Sequence, residues 1–283
     1  MYAVALGLGP PVVLVHGYGV SGRYMLPLAR ALAPSCEAFV PDLPGQGKSE
    51  PPRGQASGSI AELAGALGAW VAANGLTRPV FVANSMGCQI VTDLAVHQPE
   101  HVGPMVLVGP TVDPARRTAR HQLFGMLRDT AREPLSLIAL AARDDAAAGI
   151  RTLLSTARGV LADRIEDRLP LIEQPTVVVH GDSDGFVSRD WVERVTGLLP
   201  RGRLVLVPGE PHAVNYTRPE LIAGIVRELV VEEGEHAGGE LVRRLQHGNV
   251  SARKPSEPRV GQHPVPLVGD SDRHESVAVA PNE

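Results

Sequence analysis

Six short runs of apolar, mostly β-branched residues punctuate the chain up to Val207: Val12–His16, Ala38–Pro41, Val80–Ala83, Met105–Val108, Thr176–His180 and Leu204–Val207. Most are apolar throughout rather than at alternate positions, as in strands covered on both faces of a parallel sheet. Between them lie stretches of helical length, Tyr24–Leu32, Ile60–Ala73, Met86–His97, Trp191–Leu199 and Pro219–Val231. Strand, helix, strand repeated in this order predicts an α/β fold, a mostly parallel sheet with right-handed crossovers and helices on both faces. Ligands of such sheets sit at the carboxyl ends of the strands.

Two segments break the rhythm. From Pro114 to Pro170 no strand pattern occurs, and Leu123, Met126, Leu127, Leu137, Ile138, Leu153, Leu154, Leu161 and Ile165 fall on apolar helical faces. A helical insertion between two sheet strands is expected to cap a site. From Gly234 to Glu283 the chain carries five Pro, six Gly, seven acids and six Lys or Arg, with no aromatic residue after Tyr216. Such a stretch buries too little apolar surface to offset its chain entropy. It is expected to be a disordered tail with a short helix near Glu240–Gln246, leaving residues 1–233 as one domain.

Composition removes several functions. A formal charge of −4 over 283 residues argues against the basic footprint of a nucleic-acid binder. No apolar run approaches the ~18–20 residues of a membrane span. Cys36 and Cys88 allow at most one internal disulfide and have no zinc spacing, and no His/Cys/Asp cluster has metal-ligand spacing. The first apolar stretch lacks the basic segment of a secretory signal. The expectation is a cytoplasmic protein acting on a small molecule, without metal, cofactor, nucleic-acid or membrane partner. Its oligomeric state is not readable.

The sharpest motif is Phe81-Val82-Ala83-Asn84-Ser85-Met86-Gly87, a strand running into Ser85 with a helix beginning at Met86. A tight strand–turn–helix lifts a serine hydroxyl above the sheet and leaves the Met86 N–H where an oxyanion can form. Small residues two before and two after the serine let the turn close, and here they are Ala83 and Gly87. A second motif, Val12-Val13-Leu14-Val15-His16-Gly17-Tyr18-Gly19, ends a strand in H-G-x-G. Its glycines let the backbone approach a reacting carbonyl, with the Tyr18 N–H as second donor. His16 reads as a structural histidine, and Asp42, in a Gly/Pro-rich turn, as a turn-fixing carboxylate. Gly17 and Asn84 are pocket candidates, although Asn84 serves equally well to satisfy the turn.

From about Gly9 to Val231 the order of these motifs resembles the α/β-hydrolase superfamily. The resemblance implies an acid after the strand that follows the cap and a histidine after the last strand. The matching positions are Gly181-Asp182-Ser183-Asp184-Gly185-Phe186-Val187 and Pro208-Gly209-Glu210-Pro211-His212. It selects Asp184 over Asp182, with the chain order Ser85, Asp184, His212, and Asp113 as the weaker alternative acid. It implies that His212 takes the Ser85 proton while Asp184 holds the ring. It also implies an N-terminal hairpin, of which only Tyr2–Leu6 is present here.

A serine at the turn argues against chemistry that needs a carboxylate nucleophile. The N-S-M-G core is similar to carbon–carbon hydrolases of ring-cleavage products, but Ala83, Cys88 and Ala213 depart from their pattern. The resulting expectation is a serine esterase acting on a small apolar substrate. A carbon–carbon hydrolase, or a non-hydrolytic binding or cyclising member of the fold, are the alternatives. Cys88 and His180 read as packed structural groups. Arg116, Arg117 and Arg120 read as a solvated face rather than a lure for an acidic substrate.

Overall fold

The computed structural model describes residues 1–51, 58–118, 120–121, 125 and 134–246. Seven strands form one sheet: β1 (Ala3–Leu6), β2 (Pro11–Val15), β3 (Glu37–Pro41), β4 (Val80–Asn84), β5 (Met105–Val108), β6 (Thr176–Gly181) and β7 (Gly202–Val207). Their order across the sheet is β1-β3-β2-β4-β5-β6-β7. β1 pairs antiparallel with β3, and every other pairing is parallel. The stretch expected from Tyr2 to Leu6 is thus an antiparallel edge strand on an otherwise parallel sheet.

Alternation along each strand sends side chains to opposite faces. Val13, Val15, Phe81, Ala83, Met105 and Leu107 enter one core with helices α2 (Ile60–Ala73) and α3 (Met86–His97). Val12, Leu14, Val80, Val82, Val106 and Val108 enter the other, against α1 (Leu26–Leu32) and the last helix. Both faces are therefore apolar, which is why the strands read as unbroken hydrophobic runs.

The helix expected from Tyr24 divides in two. Gly22–Met25 is a 3₁₀ turn, and α1 starts at Leu26 with Pro27 in its first turn, where the missing N–H costs nothing. Ser59 caps α2 in a reciprocal box with Glu62, the side chain of each accepting from the backbone N–H of the other.

The insertion after β5 contains α4 (Leu135–Ala148), α5 (Ile150–Ala162) and α6 (Ile165–Arg168) among its described residues. These are the cap helices. Leu123, Met126 and Leu127 lie outside the described residues. Beyond the cap come α7 (Arg189–Leu198), α8 (Val214–Thr217) and α9 (Pro219–Gln246). The expected helix end at Val231 and tail start at Gly234 are corrected here, because α9 continues to Gln246. Glu232, Glu233, Glu235, Ala237, Glu240 and Leu241 are good helix formers, and the Gly238-Gly239 pair weakens the helix without ending it. The rest of the expected tail, 247–283, lies outside the described residues. Among the described residues no helix is long and apolar enough to cross a membrane.

Candidate active site

Ser85 sits between β4 and α3 with φ of 54° and ψ of −119°. This is the left-handed side of backbone space, which a serine adopts only when its surroundings hold it there. The Ser85 N–H donates to the Val108 carbonyl at 3.0 Å, and its carbonyl accepts from the Cys88 N–H at 3.0 Å. A side chain at Gly87 would come within 2.6 Å of the Val15 carbonyl oxygen. Only glycine there lets α3 start this close to the end of β2.

The H-G-x-G loop packs directly on this turn. A Cβ on Gly17 would lie 3.2 Å from the Ser85 Cβ and 3.1 Å from Asn84 Oδ1. Gly17 therefore belongs at the site through its lack of a side chain. Fully buried His16 donates from Nδ1 to the Gly17 carbonyl at 2.9 Å and accepts from the Leu43 N–H at Nε2, 3.1 Å away. Burial pushes its pKa below 6.5 against the opposing pull of the Gly17 carbonyl, Asp42 and Asp144. Both nitrogens have fixed roles, so it is the structural histidine the sequence predicts. Asp42 is likewise a turn carboxylate, accepting from the N–H groups of Gly22 and Lys48 at 2.7 Å each.

Asp184 and His212 come from the loops after β6 and β7. His212 donates from Nδ1 to Asp184 Oδ2 at 2.7 Å. Asp184 Oδ1 accepts from the N–H groups of Phe186 and Val187 at 2.7 and 2.9 Å. Burial alone would raise the Asp184 pKa, but the His212 charge, the His212 hydrogen bond and the Val187 N–H outweigh it and hold the group below its ordinary 3.8. Asp182 has another task, bonding the Gly209 N–H at 2.6 Å and so fixing the loop that carries His212. Asp113 accepts from Ser188 Oγ and the Ala115 N–H in a turn of its own. Of the three acids considered from sequence, Asp184 is the one bonded to His212.

Asn84 connects the two halves of the site. Its side-chain amide donates to the Val108 carbonyl at 3.2 Å and to the His212 carbonyl at 3.4 Å. Through this amide Asn84 fills the turn-satisfying role, one of the two the sequence offers it. Gly109, at φ of 55°, makes the other close approach: a Cβ there would stand 2.7 Å from His212 Cε1. Ser85, Asn84, Asp184 and His212 are thereby gathered at the carboxyl ends of β4, β6 and β7, with Gly109 following β5. Met86 opens α3 directly after Ser85, and Tyr18 follows Gly17 in the loop after β2.

Sequence reading passed over Phe186 as a contributor and took His180 only as a packed structural group. Phe186 places its ring 4.8 Å from the His212 ring, and a Cβ on Gly125 of the cap would fall 3.2 Å from it. His180 Nδ1 lies 3.8 Å from Asp184 Oδ2, and burial lowers its pKa against the pull of Asp184. The G-x-x-D-x-x-V motif already contained Phe186, but nothing local marked it as a neighbour of His212. Cys88 is packed as expected, with Sγ against the Ala83 and Val108 carbonyls and its thiol pKa pushed well up by burial. Arg116 pairs with Asp113 at 3.8 Å and Arg117 with Glu166 at 2.7 Å.

A mostly parallel seven-stranded sheet, a strained serine turn and a histidine held by a buried acid after the last strands define an α/β-fold hydrolase. Residues 10–158 match the α/β hydrolase fold family, and the chain belongs to it. A polyketide synthase, ThaQ, of Burkholderia thailandensis is 29% identical over 263 residues, which cover 82% of this chain and 12% of that synthase's length. The pimeloyl-[acyl-carrier protein] methyl ester esterase of Aeromonas salmonicida is 27% identical, covering 79% of this chain and 96% of the relative. Among solved structures, a thermophilic esterase from Thermogutta terrifontis superposes with a TM-score of 0.70 at 20% identity, over 81% of this chain and 92% of its own.

Proposed function

We propose that the protein is a serine hydrolase that cleaves a carboxylic ester of a small apolar substrate through an acyl-enzyme on Ser85. The observation that carries this reading is the sealed Asp184–His212 pair at 2.7 Å, tied through Asn84 to the strained turn that bears Ser85. With Nδ1 committed to Asp184, Nε2 is the nitrogen of His212 that exchanges protons.

In the first half-reaction Ser85 Oγ attacks the ester carbonyl as His212 Nε2 takes its proton. The carbonyl oxygen becomes an oxyanion received by the N–H groups of Met86 and Tyr18, each worth about 2.7–4 kcal/mol by analogy with measured oxyanion donors. The imidazolium, stabilised by Asp184, then protonates the departing alkoxide. In the second half, water attacks the acyl carbonyl, His212 takes its proton and returns it to Ser85, and the carboxylic acid leaves.

Two observations support an ester and an apolar substrate. The relatives with a named ester activity include the methyl ester esterase and the thermophilic esterase above. The Phe186 ring, set between His212 and the cap at Gly125, presents apolar surface beside the proposed base. Mixing the protein with short p-nitrophenyl esters should give a burst of p-nitrophenol equal to the enzyme present, and Ser85→Ala should abolish it together with fluorophosphonate labelling. Loss of dienone absorbance without an ester burst would transfer the reading to carbon–carbon cleavage. No adduct on Ser85 would point to a binding role.

A further inference from the structure

We propose that Asp144, a cap residue remote in sequence from every motif, is a positioning residue that holds the oxyanion loop in register with Ser85. The inference rests on the serine-hydrolase reading above, which assigns the Tyr18 N–H as an oxyanion donor.

The loop that carries Tyr18 leaves β2 at His16 and turns at Gly19, whose φ is 75°. Its near end is fixed by the Gly17 contact with Ser85 and the His16 bond to the Gly17 carbonyl. Its far end is fixed by the cap. The buried Ser21 N–H donates to Asp144 Oδ2 on α4 at 2.8 Å. The other oxygen of Asp144 lies 3.7 Å from the Arg23 guanidinium. The Tyr18 hydroxyl adds a second tie, donating to the Leu153 carbonyl of α5 at 3.1 Å. Two helices of the cap therefore grip the loop at Tyr18 and at Ser21, before and after Gly19.

Asp144 is 4% exposed, and burying a carboxylate is costly unless hydrogen bonds and opposite charge compensate it. Among the described residues the compensation comes from the Ser21 amide and Arg23, both belonging to the segment that follows the oxyanion donor. A carboxylate–amide bond is shorter and stiffer than a neutral one. The donor must sit within 2.7–3.1 Å of the developing oxyanion to act on it. A cap docked through Asp144 thus sets the Tyr18 N–H, whereas a cap lifted away leaves the loop held at one end only.

The test compares wild type, Asp144→Ala, Asp144→Asn and Tyr18→Phe by steady-state ester hydrolysis and by hydrogen exchange of residues 17–23. In Asp144→Ala, kcat should fall about 10–100-fold, less than the full loss of an oxyanion donor, with KM changed less than about threefold. Exchange over residues 17–23 should accelerate while that of α2 stays constant. Asp144→Asn keeps the acceptor and should recover kcat to within about threefold of wild type. Tyr18→Phe loses the tie to Leu153 and should show a smaller fall, covering the case in which Asp144→Ala does not fold. Unchanged kcat and exchange in both Asp144→Ala and Tyr18→Phe overturns the inference, as does an effect confined to KM. A wild type that neither turns over esters nor labels at Ser85 defeats the hydrolase reading instead. The exchange data then decide alone whether the cap anchors the loop.

Discussion

Asp184 is the residue on which the site's electrostatics turn. It is shielded from solvent, yet it stays ionised because His212 and two backbone N–H groups face its two oxygens. Asp184→Asn preserves the size and one acceptor but removes the charge that stabilises the imidazolium, so kcat should drop by about 10⁴, as it does for the equivalent change in serine proteases. Asp113→Asn should leave kcat within about twofold, because Asp113 bonds Ser188 and Ala115 and not His212. Measuring kcat for both variants on one p-nitrophenyl ester checks the assignment, and equal losses would overturn it. Ser85 was legible from the strand–turn–helix pattern around it, and Asp184 and His212 from the motif order that resembles the α/β-hydrolase superfamily. Phe186, Gly109 and Asp144 were not. Their roles exist only once strands separated by scores of residues are laid side by side, and a contact such as Ser21 to Asp144, 123 positions apart, leaves no mark on either local pattern.

At the scale of elements, the strands were readable because a doubly covered sheet demands apolar residues at every position, and the helix after Ser85 was readable from the turn that starts it. The arrangement of the cap was not, since amphipathic helices show which face is buried but not against what. The structure gives the cap's exit a specific anchor on α3. Arg168 grips Asp163 with two bonds of 2.8 and 2.7 Å, bonds the Gln89 carbonyl at 3.3 Å, and lies 3.7 Å from Asp93. The Gln89 side chain in turn donates to Asp163 and to the Val160 carbonyl, each at 3.0 Å. Gln89 stands one turn beyond Ser85, so the cap root is bolted to the helix that carries the proposed nucleophile. Arg168→Ala takes the guanidinium from two largely buried carboxylates, leaving Asp163 to Gln89 and Asp93 to His97, and breaking a buried pair costs about 3–5 kcal/mol, with these remaining partners setting the loss at the lower end. Urea unfolding should show a loss of that order, and a loss below about 1 kcal/mol would mean that the cap root relaxes around the missing guanidinium.

The whole molecule ties its stability to the neutral form of a histidine that takes no part in the proposed proton transfer. His16 spends both ring nitrogens on the backbone, donating from Nδ1 and accepting at Nε2. A second proton would convert the Nε2 acceptor into a donor facing the Leu43 N–H, in a fully buried position. Its folded pKa is accordingly depressed below 6.5, mainly by burial. The unfolded chain therefore binds the proton first as pH falls. Stability is fully present above about pH 6.5, then declines by about 1.4 kcal/mol per pH unit for this one group until the folded pKa is reached. His180, also depressed by burial, acts in the same direction. Asp184 contributes separately and at lower pH, below its ordinary 3.8, because its folded pKa is also depressed. Glu62 and Glu210, both held below their ordinary 4.5, add to the loss as pH falls toward that value, so between about pH 6.5 and 5 the acid sensitivity should belong to the buried histidines. Urea unfolding of wild type at pH 7.5, 6.0 and 5.0 should show a falling free energy. His16→Gln lowers stability at pH 7.5 by loosening the loop but removes a titrating group, so its decline between pH 6.5 and 5.0 should be shallower than that of wild type. Parallel declines in wild type and variant would show that His16 is not the group that makes the fold acid-labile.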